Sequence, residues 1–227
     1  MLQDLYNAFI PNDLYIRYLK GVWLTLQISF FAVLLGVAIG IIIAVVKYFA
    51  KEFKWLKPLE WICNVYVGII RGTPIMLQIT IAMSVIFTNP NFPPVLAAAM
   101  VFGINSGAYV SEIIRGGINS IDKGQTEAGR SLGLGPVKTM RLVIMPQAVK
   151  NILPALGNEF IMLVKETAII GAFAYEDLTK IANQIGLKSY NPLPPLLIAG
   201  MIYLVVVLGL TKLMNIFERR LAKSDIR

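Results

Sequence analysis

Residues 22–46 read VWLTLQISFFAVLLGVAIGIIIAVV, a run with no charged residue. Crossing the ~30 Å hydrocarbon core takes about 20 mostly apolar residues in a helix. Within lipid no water satisfies backbone N–H and C=O groups, so a run of this kind must be helical to span. The stretch therefore predicts a transmembrane helix. Further candidate spans follow at about 59–87, 94–114, 143–172 and 194–217. The second is interrupted by Arg71-Gly72-Thr73-Pro74, and the fourth contains Pro146 and Pro154. The expectation is an all-α integral membrane protein with five transmembrane helices, residues 1–227 forming a single transmembrane domain.

Composition agrees with that class. Hydrophobic residues make up 56% of the chain and charged residues only 15%, below the quarter usual for soluble domains. A lone cysteine, Cys63, rules out an intramolecular disulfide. The chain has no histidine, which removes His-based triads, His metal sites and imidazole relays. Pro11, Asp4 and Asp13 break up the first twenty residues, so no cleavable signal peptide is expected. The net charge of +8 is expected in cytoplasmic loops and not on a nucleic-acid surface.

Charge also predicts orientation. The 47–57 loop holds Lys47, Lys51, Lys54 and Lys57; the 115–141 loop holds Arg115, Lys123, Arg130, Lys138 and Arg141; the tail holds Arg219, Arg220, Lys223 and Arg227. The positive-inside rule puts these three segments in the cytoplasm, so the N-terminus is expected outside and the C-terminus inside. The uncharged 88–94 segment, TNPNFPP, falls on the outer side, as does 175–187, YEDLTKIANQIGL. In the latter, Leu178, Ile181, Ala182 and Ile185 share one helical face. This predicts a short amphipathic helix, either resting at the interface or touching an external partner.

In the long cytoplasmic loop, Glu127 near the start and Arg130 further on suit a helix dipole, Gly133 supplies a stop, and Pro136 starts a second helix. A short helix at about 124–134 is thus expected between two spans, with little apolar surface for lipid. The sequence from 126 onward, TEAGRSLGLGPVKTMRLVIMPQA, resembles the EAA loop of membrane subunits of type I ATP-binding-cassette importers. RGTP (71–74), AYVSEIIRGGI (108–118) and LGNEFIMLVKETAI (156–169) resemble the polar amino-acid permeases of that family. The resemblance covers roughly residues 18–220, with all four motifs in order; Ala168 stands where a serine is common. It implies the type I importer permease fold, the bacterial or archaeal cytoplasmic membrane, and a second permease subunit forming a homodimer or paired heterodimer. It also implies two cytoplasmic ATP-binding subunits carrying ATP and Mg, and an extracytoplasmic solute-binding protein. The 124–134 helix is then the coupling helix: Glu127 and Gly133 hold the signature positions, and Ala128 and Leu132 pack on the ATPase. This chain has no phosphate loop of its own, so no enzymatic activity or cofactor is expected in it.

Transporter substrates bind near the midplane, among broken helices and polar groups. Counting 1.5 Å per residue from Val143, Glu159 lies roughly 20 Å in, with Asn158 beside it. Asn105 lies about 15 Å from Arg115. Thr80 and Ser84 continue a mildly polar stripe from the Gly72-Thr73-Pro74 break. These five are the candidate substrate residues. Amides and hydroxyls near the break suit a carboxylate. Glu159 suits either a cationic side chain, giving arginine, lysine or histidine, or an α-ammonium group, leaving glutamine or glutamate open. Packing roles stand beside these: Asn158 on carbonyls freed by Pro154, Glu159 as a protonated hydrogen-bond donor between helices, and the small polar residues at helix contacts. Lys165 and Glu166 lie nearer the outer surface, either snorkelling or serving as an outer gate or dimer contact. Arg71 either reaches the interface or pairs with Glu112. An ion-coupled carrier using Glu159 is a rival reading, disfavoured by the odd span number.

Overall fold

The computed structural model describes residues 1–89, 91–173 and 176–223. Arg227 of the basic tail, Pro90 of the outer loop and Tyr175 lie outside the described residues. The chain is all-helical among the described residues. Helix α1 is Leu2–Phe9, α2 Leu14–Phe49, α3 Lys57–Gly72, α4 Ile75–Ile81, α5 Pro94–Asn119, α6 Lys123–Ser131, α7 Pro136–Thr139, α8 Met145–Glu166, α9 Leu178–Ser189 and α10 Leu193–Lys223. Wide π turns at Ala82–Ile86 and Met140–Ile144 extend α4 and lead into α8.

By length and apolarity, α2, α5 and α10 are able to span a membrane, and α3 with α4 makes a broken fourth, bent by 105°. The break is local chemistry. Thr73 precedes a proline and is driven to extended backbone (φ −122, ψ 147). Helix α8 is more polar, carrying Lys150, Glu159, Lys165 and Glu166, although its 22 residues reach about 33 Å.

The interior is built around α2 and α5, which pack on each other more extensively than any other pair. Two small-residue faces allow it: Gly36 and Gly40 on α2, Gly103 and Gly107 on α5. Both pairs have the GxxxG spacing that brings membrane helices into close approach. A Cβ on Gly36 would lie 2.8 Å from Ser106 Oγ; one on Gly107 would lie 2.7 Å from Ile39 Cγ2.

Helix α9 is the short amphipathic helix expected from the sequence, and its apolar face packs on the chain's own helices and not on a membrane interface. Its Leu178, Ile181, Ala182 and Ile185 are buried against Tyr18, Ala8 and Ala199 of the same chain. Each large side chain of that face stabilises the fold by roughly 1.5–3 kcal/mol relative to exposure to water. Asp177 caps the helix by accepting hydrogen bonds from the Lys180 and Thr179 amides. The close seat of Leu178 needs Gly21, where a Cβ would come 2.8 Å from the Leu178 backbone.

Candidate functional site

The polar residues inside the bundle form one layer with two arms, and α5 supplies both. On one arm Asn105, 4% exposed, donates to Gln78 Oε1 at 2.9 Å. The Gln78 amide in turn donates to the Ile70 carbonyl and to Thr73 Oγ1, each at 2.8 Å. Thr73 Oγ1 donates to the Ile69 carbonyl at 2.8 Å. These carbonyls lose their helical partners at the Gly72-Thr73-Pro74 break, and side chains satisfy them in place of water. Gln78 was not singled out by sequence; its position four residues past a proline break is the signal that would have found it.

On the other arm Ser106 Oγ donates to Glu159 Oε1 at 2.7 Å. Ser106 is fully buried and Glu159 only 8% exposed. No cation lies within ion-pair distance of Glu159 among the described residues. The carboxyl thus meets a helix of its own chain, accepting from Ser106, where the packing alternative expects it to donate. Asn158, one residue earlier, is exposed. Glu159 and Asn105 lie at a similar level along the bundle, since Glu159 meets Ser106, the residue that follows Asn105.

Thr80 Oγ1 donates to its own helix at Met76 O, 2.8 Å. Ser84 sits in the π turn at Ala82–Ile86, exposed.

A second polar centre lies toward the other end of α5. Glu112 accepts from Lys47 at 3.0 Å and from Arg115 Nε and Nη2 at 2.8 and 2.6 Å. Arg71 stands 3.9 Å from the same carboxylate and over the ring of Tyr109. Of the two alternatives for Arg71, the structure brings it to Glu112. Lys165 is exposed and Glu166 half-buried, and neither makes an ion pair with a described residue.

On the basic side, α6 stands out from the spans. It begins one residue before the expected 124–134 and stops at Ser131, because Gly133 turns left-handed at φ 78 and its N–H bonds to Arg130 O. Asp122 caps its start, accepting from the Gly124 amide at 2.6 Å. Two contacts fix it to the body. Gly129 is buried against Thr139, and Arg130 pairs with Glu52 after α2. Glu127 and Ala128 are exposed, and Leu132 is 82% exposed.

A helical bundle with a broken span, a buried polar layer and a short helix held beyond the spans is the architecture of a membrane permease subunit. The comparisons with known proteins bear this out. Residues 36–223 match the family described as binding-protein-dependent transport system inner membrane component, and the chain belongs to that family. It is 41% identical to the arginine transport system permease protein ArtQ of Bacillus subtilis, over 97% of this chain and 98% of that protein. It is 38% identical to a putative glutamine transport system permease protein GlnP of Rickettsia bellii, over 95% and 97%. The L-cystine transport system permease protein TcyB of Bacillus subtilis is 35% identical over 88% of this chain and 85% of its own length. Among solved structures, an amino acid ABC transporter crystallised with histidines matches with TM-score 0.83 and 42% identity, covering 91% of this chain and 94% of that one. The MetNI methionine ABC transporter matches at TM-score 0.79 with 21% identity, over 93% and 99%, a likeness of fold. The fold is that of type I ABC importer permeases.

Proposed function

We propose that this chain is the membrane subunit of an ATP-driven importer of polar amino acids, with a preference for basic ones. It forms the translocation path with a second copy of itself. Two ATP-binding subunits on the cytoplasmic side supply hydrolysis, and an extracytoplasmic solute-binding protein delivers the amino acid. The carrying observation is α6: its last turn is tied to the body by Gly129 and Arg130, while Leu132 just beyond stays 82% exposed. A leucine left in water beside exposed Glu127 and Ala128 is what a soluble partner would cover. The basic loops set the N-terminus outside and the C-terminus in the cytoplasm.

The preference for basic substrates rests on Glu159, an interior carboxyl with no cationic partner within reach among the described residues, and is supported by the arginine-transport relative. The relatives named for glutamine favour the alternative, in which Glu159 meets the α-ammonium group. Asn158, Thr80, Ser84 and Asn105 complete the proposed substrate residues, and Arg71, Glu112, Lys165 and Glu166 the proposed gating groups.

Two measurements test the proposal. Purification from its host should yield a co-purifying ATPase whose activity depends on Glu127; proton-driven uptake by this chain alone would refute the importer. Arginine and glutamine uptake should be compared in the assembled transporter carrying Glu159→Gln. A selective loss of arginine transport supports the basic preference, and unchanged arginine transport overturns it.

A further inference from the structure

Two cavities meet at the basic end of the bundle. The first, about 310 Å3, is lined by Lys47, Lys51, Glu60, Glu112 and Arg115 among others. The second, about 350 Å3, is lined almost wholly by apolar side chains of α2, α5 and α8. Ala44, Tyr48 and Ile118 line both. Along α2 the apolar wall runs through Val37, Ile41, Val45 and Phe49. These recur every four residues, so they form a straight row of roughly 18 Å. That row matches one leaflet of the ~30 Å hydrocarbon core.

The cations of the first cavity keep donors to spare. Lys47 uses one N–H on Glu112, leaving two. Arg115 uses its Nε and Nη2 atoms on Glu112, leaving Nη1. Lys51 is exposed and makes no ion pair with a described residue. Glu60 is already held by Lys57 at 2.8 Å. Three cations with free N–H groups thus line the polar end of an acyl-wide groove.

We infer that the joined cavities hold one anionic phospholipid, its phosphate between Lys47, Lys51 and Arg115 and one acyl chain in the groove between α2, α5 and α8. Charge complementarity selects an anionic headgroup, and the continuous apolar wall selects a lipid over a soluble phosphate. Basic pockets between transmembrane helices at the cytoplasmic face suit such headgroups. Only the assignment to the cytoplasmic leaflet rests on the orientation proposed above.

The test is native mass spectrometry of the purified, delipidated full chain, titrated with dioleoyl phosphatidylglycerol, with phosphatidylcholine of the same chains, and with inorganic phosphate. Phosphatidylglycerol should fill one saturable site per chain and bind more tightly than phosphatidylcholine. Lys51→Gln, at an exposed position, should weaken it about fivefold, the effect of one basic residue near a membrane surface. Val149→Trp, which fills the groove, should weaken both lipids, with circular dichroism checking that it folds. Equal binding of the two lipids, or no effect of Lys51→Gln, would overturn the inference. So would displacement by millimolar inorganic phosphate, which would mark a soluble-anion site. None of these outcomes depends on ATP-driven uptake, so the site stands or falls apart from the transport proposal.

Discussion

Gly36→Ala should damage both the packing and the polar layer. The added methyl would sit 2.8 Å from Ser106 Oγ and 2.9 Å from its Cβ. Ser106 is fully buried on α5 and has no open side to move into. Overpacking at a tight contact costs about 1–3 kcal/mol. If Ser106 turns away to relieve it, the hydrogen bond to the Glu159 carboxyl is lost, about 1.5–3 kcal/mol for a bond to a charged group. Alanine returns about 1 kcal/mol of helix propensity. Turning away replaces the overpacking cost, so the net destabilisation by that route is about 0.5–2 kcal/mol on these magnitudes. Two companion substitutions separate the terms. Ser106→Ala removes the hydrogen bond while keeping the Cβ contact. Gly116→Ala, where a Cβ would meet nothing within 4 Å, keeps only the propensity gain. Unfolding of each purified variant in mixed micelles, titrated with sodium dodecyl sulfate and followed by far-ultraviolet circular dichroism, gives the ranking. The reasoning fails if Gly36→Ala is as stable as the parent, or if it shifts in the same direction as Gly116→Ala.

Other consequences follow from the same structure. Glu112→Gln should destabilise by about 2–3 kcal/mol, less than the loss at a fully buried pair because Arg115 and Arg71 are half-exposed; adding Lys47→Met should recover part of it in the same unfolding assay. Leu132→Asp should leave the unfolding midpoint unchanged within about 0.5 kcal/mol, as exposed sites do, yet abolish substrate-stimulated ATP hydrolysis by the reconstituted importer. Burial pushes the Asp177 carboxyl above its ordinary value against the amide bonds it accepts. Its fold therefore prefers the protonated form, and stability should decline as pH rises from the ordinary carboxylate value through the raised one. Asp177→Asn, which still caps α9, should flatten that decline in pH-dependent unfolding curves.

Apolarity made the spans legible, and its limits explain what was not. Helix α2 begins at Leu14, well before residue 22, because α9 buries Tyr18 and Gly21; a hydropathy window scores a residue's type and not its cover. The polar α8 was read as a span from the run at 143–172, and the resemblance of the residues around Glu159 to a known motif reinforced it. The carboxyl's partner, Ser106, was not foreseen, since a serine within a span carries no signal of what it faces. Its neighbourhood was readable in another way: GVAIG at 36–40 and GINSG at 103–107 carry the spacing of closely packed helices. Aligning those two faces would have set the register of α2 against α5 and drawn attention to Ser106. The break at Thr73-Pro74 was legible from proline chemistry, but the π turn that holds Ser84 has no comparable residue signature.

The contact of Gly129 with Thr139 has a mechanical consequence. Thr139 closes α7 and leads through the Met140–Ile144 turn into α8, so α6 is set on the foot of the helix that carries Asn158 and Glu159. The pair would act as a crank: a tilt of about 5° at Met145 would carry Glu159, about 21 Å along α8, sideways by about 2 Å. That displacement is enough to break a 2.7 Å hydrogen bond to Ser106. On the function proposed above, a side chain larger than hydrogen at position 129 would loosen this joint, leaving partner docking intact while motion fails to reach α8.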